Sequence, residues 1–312
     1  KIDSSIQETD DFDQRYTEEF FNSERYIRYV SSPSSDGTLV NLSFKIKNGT
    51  RCMSRICLFF DKSNGILFTF DKYIYLPQFD PNCPKADEKS ILLQFFKMIN
   101  YLVKYYDVSD AKIILPKQTK ILELYNIINC LTIKFTQNTH MFYDFSTKKS
   151  VNMSRKSYRN LVNFSTKNYT FNLIYGEKSF CIDEYFSLHK CVAGRQTRSI
   201  ASWSIQEEWV KQKTAFISEC RVEGELIGYA FFSLFHKTGQ YFSGVYVRGN
   251  GYKGISHGCL YNGLKFAAEL DLNKVFIGVA ATECDSEKLK SITKFKMGFS
   301  NRLELRLLIN MD

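Results

Sequence analysis

The sequence predicts an α/β protein of mixed (α+β) type, built as two consecutive domains that each carry a largely antiparallel, mixed sheet flanked by helices. Three observations lead there. Its 312 residues are too many for one ordinary core and suit two domains of roughly 150 residues each. The expected elements run twice in one order: helix, three-stranded meander, long helix, strand, helix, strand. Between the two passes lies a lysine-rich stretch, Lys148 to Lys156, which serves as the expected linker and sets the domains at 1–150 and 151–312.

In the first domain, apolar residues recur at helical spacing through Phe12, Tyr16, Phe20, Tyr26 and Val30, and the run Ser31 to Gly37 ends that helix. Strands are expected over 39–47, 54–61 and 66–75, with Asn48-Gly49 and Ser63-Asn64-Gly65 as the turns of an antiparallel meander. Asp87 to Tyr106 places Leu92, Phe95, Phe96, Ile99, Leu102 and Val103 on one face of a long amphipathic helix. A strand at 111–115, a short helix at 119–129 and strands at 130–136 and 141–145 complete the half.

The second domain opens with helices at 157–169 and 182–191, followed by strands at 214–223, 226–236 and 240–247. A glycine loop at 248–254 leads into a helix at 256–269, a strand at 274–279, a helix at 286–295 and a last strand at 302–309.

Composition narrows the function classes. With 44% hydrophobic and 24% charged residues, the chain has enough apolar surface to fold and does not read as disordered. No run approaches the ~20 consecutive apolar residues of a bilayer span, and Lys1 to Asp13 are acidic and polar, unlike a signal peptide. The expectation is a cytoplasmic protein with no membrane span. The nine cysteines are widely scattered and read as free thiols, and with histidine only at His140, His189, His236 and His257 no zinc spacing exists, so no metal is expected. A formal charge of +9 favours polyanionic ligands such as nucleotides, coenzyme phosphates or RNA.

The segment Arg248-Gly249-Asn250-Gly251-Tyr252-Lys253-Gly254-Ile255-Ser256 joins an expected strand to an expected helix. Such a junction presents unpaired amide N–H groups at the positive end of a helix, where a pyrophosphate fits. Glycines let the backbone approach phosphate oxygens, Ser256 can cap the helix, and Arg248 and Lys253 can neutralise charge at the mouth. The plain alternative is a glycine cluster that only makes the turn.

The order strand, arginine, glycine loop, helix, strand, helix resembles the acyl-CoA N-acyltransferases of the GNAT superfamily. Their loop is commonly Arg/Gln-x-x-Gly-x-Gly/Ala; this chain matches at Arg248 and Gly251 and carries Lys253 at the last position, which leaves a cradle shifted to Gly251 through Gly254 as the alternative. Lys294-Phe295-Lys296-Met297-Gly298-Phe299 is similar to the family's closing Tyr-x-x-x-Gly-Phe, with Lys294 where a thiolate-protonating tyrosine is usual. The lysine-bearing stretch also resembles the Phe-Lys-x-Gly-Phe of Fem-type (FemAB-like) peptidyltransferases, which are built from two GNAT-like domains. Met153 to Asn160, and the segment His189 to Gln206 with Gly194-Arg195, Thr197-Arg198 and Trp203, look like Fem-related proteins as well. The resemblance covers residues 150–312 and rests on element order before that. The heptad-patterned insertion that forms the tRNA-linked arm of some Fem enzymes is missing.

Amide formation needs a neutral amine, an acceptor for its proton and a polarised carbonyl. His189, at a helix end with Arg195 and Arg198 just beyond, could be the base or a surface histidine. Arg195 and Arg198, three apart, could face a phosphate, and Trp203 could stack on a base or sugar or pack in the core. The resemblance implies an acyl-pantetheine arm along the strand before the loop. By strand alternation Tyr241 and Ser243 share one face and Tyr246 the other, so the first two are expected to bind donor and Tyr246 substrate. Lys294 is expected to carry charge for a developing oxyanion or thiolate.

The function expected is N-acyl transfer from an acyl-CoA to the primary amine of a nucleotide-linked amino sugar, a cell-envelope precursor, without a covalent enzyme intermediate. Acyl-CoA and the nucleotide sugar are the expected partners. The alternatives are an aminoacyl-tRNA-dependent peptidyltransferase acting on a peptidoglycan precursor and a non-catalytic nucleotide- or RNA-binding module.

Overall fold

By its internal contacts the computed structural model forms two units, residues 139–304 and residues 1–138 with 305–312. The described residues are 23–32, 38–70, 72–108, 111–115, 133–146, 150–153, 155–249 and 251–311. The sequence divides the chain at the lysine-rich stretch; in the structure the chain passes between units inside one strand and returns inside another.

In the first unit Ser23 caps helix α1 (Glu24–Val30), its hydroxyl accepting from the Tyr26 N–H at 3.2 Å. The beginning of this expected helix and the short helix at 119–129 lie outside the described residues. The expected meander is not one sheet. Strands β1 (Leu39–Asn41), β4 (Phe59–Asp61) and β5 (Ile66–Phe68) form a small sheet, and β2 (Phe44–Asn48), β3 (Arg51–Ile56) and β7 (Gln78–Phe79) form a second. The breaks fall where side chains take over from the backbone ladder. Ser43 Oγ accepts from Leu58 N–H and donates to Leu58 O, and Thr69 Oγ donates to Cys57 O while accepting from Tyr75 N–H. β6 (Tyr73–Tyr75) instead pairs parallel with β8 (Ala111–Ile114). Helix α2 (Lys85–Tyr105) packs Phe95, Phe96, Ile99 and Val103 against Ile56, Leu58, Leu67 and Ile74.

Strand β9 (Ile133–Asp144) is a single element where the sequence suggested two. In the second unit its 140–144 half closes a sheet with the order β10, β11, β12, β13, β14, β9, made of β10 (Thr170–Ile174), β11 (Ala215–Val222), β12 (Glu225–Phe235), β13 (Thr238–Tyr246) and β14 (Lys274–Val279). β11 and β12 turn at Glu223-Gly224, both left-handed (φ 50° and 86°), the two-residue turn whose twist suits a hairpin. Among the described strand pairs of the second unit, β13 and β14 are the parallel one, because helix α6 (Ile255–Glu269) crosses between them.

The two faces of this sheet carry different helices. α6 lies over Gly228, Ala230 and Phe232, with Gly263 directly above the Phe232 ring, an approach that any side chain would block. On the opposite face lie α4 (Asp183–Ala193) and α5 (Ile200–Lys211), which pack Tyr185 on Tyr229 and Trp209 on Phe231. Helix α3 (Lys156–Asn168) lies against α6, and α7 (Glu287–Met297) runs near β14. β15 (Arg302–Met311) ends the described chain and pairs through 308–311 with β8 in the first unit. Neither β10 nor α5 was expected. No helix among the described residues is long and apolar enough to cross a membrane.

Candidate functional site

One irregularity in β13 organises the second unit. Phe231 pairs with Ser243 and Phe232 with Tyr241, so Phe242 is an extra residue, a β-bulge. The bulge reverses the alternation that the sequence implied. Tyr241 and Tyr246 now share the α6 face, and Ser243 lies opposite them. The tyrosine hydroxyls meet at 2.5 Å. Gly244 sits between them, where a Cβ would lie 2.1 Å from one hydroxyl and 2.3 Å from the other, so glycine makes the pairing possible. Burial pushes the Tyr241 phenol up to about 12 and raises Tyr246 as well, so both are protonated at neutral pH and one O–H remains to donate beyond the pair.

Beside the bulge the sheet opens. Pairing of β13 with β14 ends at Gln240 and Phe276, after which the two strands run on without a shared ladder. Lys296 reaches this parting: its Nζ stands 5.5 Å from the Tyr241 ring centre, and next to Gly278, where a Cβ would come within 2.5 Å of that Nζ. Lys294, the lysine chosen from sequence, is exposed, and what it contributes is its carbonyl, which accepts from the Tyr158 hydroxyl. On helix α7 the two residues lie about 200° apart around the axis. In the Phe-Lys-x-Gly-Phe run, Phe295-Lys296-Met297-Gly298-Phe299, the lysine is Lys296. Gly298 in that run serves packing, since a Cβ there would strike the Tyr158 ring at 2.1 Å.

Past Tyr246 the chain enters the glycine loop. Gly249, Gly251 and Gly254 all hold left-handed backbone (φ 90°, 77° and 75°). Gly249 and Gly251 open onto free space, whereas a Cβ on Gly254 would lie 2.4 Å from the Leu161 carbonyl of α3. Gly254 is therefore a packing glycine at the helix N-cap, and Ser256 is not the cap; its hydroxyl lies 3.3 Å from His257 Nδ1. Lys253 N–H is taken by the Tyr169 hydroxyl at 3.0 Å. The first-turn amides of Ile255, Ser256 and His257 remain the donors of the α6 N-terminus, with the Ile255 side chain buried beneath. Arg248 and Lys253 are exposed at the mouth. His257 sits against Tyr158, Phe295 and Phe299, and burial lowers its pKa to about 4, so it is neutral.

The other candidates gather on the α4/α5 face. His189 Nδ1 is 3.2 Å from the Tyr229 hydroxyl and Nε2 is 2.9 Å from Thr197 Oγ, and the ring meets Trp203 edge-on at 5.2 Å. Burial first and Arg198 second lower its pKa to about 4. Arg198 lies over the Trp203 ring and over Phe242, the bulge residue, at 5.6 Å from each. Trp203 is buried; Arg195 is exposed in the non-helical turn and does not share a helical face with Arg198. Nearby Glu219 is saturated by Tyr185, Asn172 and Arg221. Burial raises its pKa, but these hydrogen bonds outweigh burial and hold the carboxylate below its ordinary range. The sequence-derived residues thus form two sets on opposite faces, with Tyr241 in one and Phe242, next in the chain, touching the other.

No family model matches the sequence, and no curated protein matches it. Among solved structures the chain is similar to FemX (TM-score 0.63, 11% identity, 98% of this chain and 96% of that one). It is also similar to the C-terminal domain of a putative lysylphosphatidylglycerol synthetase from Agrobacterium fabrum (TM-score 0.53, 11% identity, 90% and 83% covered). A tandem GNAT protein from the clavulanic acid biosynthesis pathway follows (TM-score 0.50, 10% identity, 92% and 93% covered). At these identities the likeness establishes the fold: a tandem GNAT-like, mixed α+β architecture shared with FemX.

Proposed function

We propose that the second unit is an N-acyltransferase centre in which the parted strands β13 and β14 receive an acyl-CoA. The observation that carries this reading is the conjunction of a stretch of β13 with no ladder on its β14 side, a phenol pair along it and an open glycine loop at its end. The pyrophosphate would lie on the loop and the first-turn amides of α6, and the amide-bearing arm would run beside residues 243–246. A neutral amine attacks the thioester carbonyl, the C–N bond forms, and the C–S bond breaks from the tetrahedral intermediate. The Tyr241–Tyr246 pair donates a proton to the departing sulfur, and Lys296 offsets the negative charge that develops on oxygen or sulfur. The proton lost by nitrogen leaves through His189 or directly to solvent, and the phenol pair regains from solvent the proton it gave to sulfur, so the net transfer is from amine to thiol. Our first choice of acceptor is a nucleotide-linked amino sugar, whose pyrophosphate suits the basic surface.

One observation favours a second reading. A lysine close to two protonated phenols also suits a leaving ribose oxygen, which is far more basic than a thiolate, so an aminoacyl-tRNA could be the donor. Thiol release from short-chain acyl-CoAs with nucleotide-linked amino sugars separates the two, run beside a salt titration of aminoacyl-tRNA binding. The first reading predicts thiol release. The second predicts none, together with affinity falling roughly 0.7 to 0.9 log units per neutralised phosphate for each tenfold rise in salt.

A further inference from the structure

The α4/α5 face holds buried polar atoms that the donor chemistry does not use. Arg198 Nη1, Trp203 Nε1, Ser243 Oγ and Gln206 Oε1 are all shut off from solvent and have no hydrogen-bond partner. Trp203 is 3% exposed and Gln206 is fully buried. Protein interiors pair nearly every such group, and a charged donor left unpaired is the most costly exception. Arg198 is also held in place, flanked by the Trp203 and Phe242 rings. A guanidinium held over the Trp203 ring, with an unpartnered indole N–H on that same ring, supplies the two donor types that an oxyanion takes.

We propose that Arg198 and Trp203 form an oxyanion-binding site for the acceptor, taking a phosphate of a nucleotide-linked sugar or a carboxylate next to the amine. Gln206 Oε1 accepts an O–H or N–H of the same ligand, and Ser243 completes the contact. Its assignment to the acceptor rests on the acyl-transfer reading, whereas oxyanion binding is measurable without turnover. The bulge supplies the link between the two faces. Phe242, against Arg198, follows Tyr241 of the phenol pair, so the oxyanion site and the donor's reactive end lie on the two sides of β13, next to where β13 parts from β14. Filling the site would also shield His189 from the Arg198 charge that helps keep it unprotonated.

The chain has two tryptophans, so the ¹⁵N-labelled protein gives two indole N–H signals, which a Trp209→Phe variant assigns. Inorganic phosphate, pyrophosphate and acetate are titrated separately. The expected result is a saturable downfield shift of the Trp203 signal alone, tighter for pyrophosphate if phosphate is the natural group and for acetate if carboxylate is. Arg198→Met should weaken that binding at least tenfold while coenzyme A affinity stays unchanged. Should this variant fail to fold by circular dichroism, Arg198→Lys, which keeps charge and loses the planar fork, should show the same weakening. No saturable shift with any of the three anions, or binding unchanged in a folded Arg198 variant, would overturn the site. Oxyanion binding without acyl transfer for any donor would overturn the transferase reading and leave the site standing. Acyl transfer with an unchanged acceptor KM in Arg198→Met would do the reverse.

Discussion

Replacing Gly244 by alanine places a methyl group between the Tyr241 and Tyr246 hydroxyls, 2.1 Å from one and 2.3 Å from the other. Ordinary contact is more than 1 Å longer than either distance, so the 2.5 Å hydrogen bond must break and at least one ring must swing away. Overpacking of this kind costs about 1–3 kcal/mol, and the lost hydrogen bond adds about 1 kcal/mol. The protein should stay folded with a lower melting temperature. If the pair protonates the leaving group, its contribution is on the order of 10²-fold or more in rate. The assay is kcat and KM for thiol release, with Gly258→Ala as control. There a Cβ meets the Phe171 ring of β10 at 2.2 Å, which should cost similar stability without displacing a ring packed on Tyr241 or Tyr246. A folded Gly244→Ala protein with kcat within about twofold of wild type would refute the role of the pair, since a general acid carries far more than that.

Three further outcomes are expected. Lys296→Met should lower kcat more than it changes donor binding, and Lys294→Met should leave both unchanged; the reverse order would return the charge role to Lys294. Gly251→Asp should fold and weaken coenzyme A binding at least tenfold, about 1.4 kcal/mol, whereas Gly254→Asp should fail to fold because its side chain meets the Leu161 carbonyl at 2.4 Å; calorimetry on Gly251→Asp showing wild-type affinity would remove the phosphate loop. His189 and His257 have folded pKa values of about 4 against an ordinary 6.5. The unfolded chain therefore binds protons first, and stability falls as pH drops through that window. A urea midpoint that stays flat between about pH 7 and about pH 5 would contradict this.

Much of the second unit was legible because its signals are local. The sequence places the β11–β12 turn at Gly224-Glu225, one residue from the observed Glu223-Gly224, and a helix over 256–269, against the observed α6 (Ile255–Glu269). The site was less legible, because one extra residue in a strand flips the alternation after it, and nothing in Tyr-Phe-Ser-Gly-Val-Tyr states which residue is the bulge. Gly244 was the missed hint, a strand glycine where two large side chains converge. Helix α5 was overlooked because its segment was read for charge, although Ser199 caps it through the Ser202 N–H. The first-unit meander failed as one sheet because Ser43 and Thr69 bond the backbone at the strand breaks, which periodicity does not register.

The most direct test of the account is a crystal structure with coenzyme A bound. The account predicts the pyrophosphate on the backbone amides between Gly251 and His257, the pantetheine arm alongside residues 243–246 of β13, and the sulfur within hydrogen-bonding reach of the Tyr241–Tyr246 pair. Coenzyme A bound elsewhere, or seated on the loop with its sulfur directed away from those phenols, would contradict it.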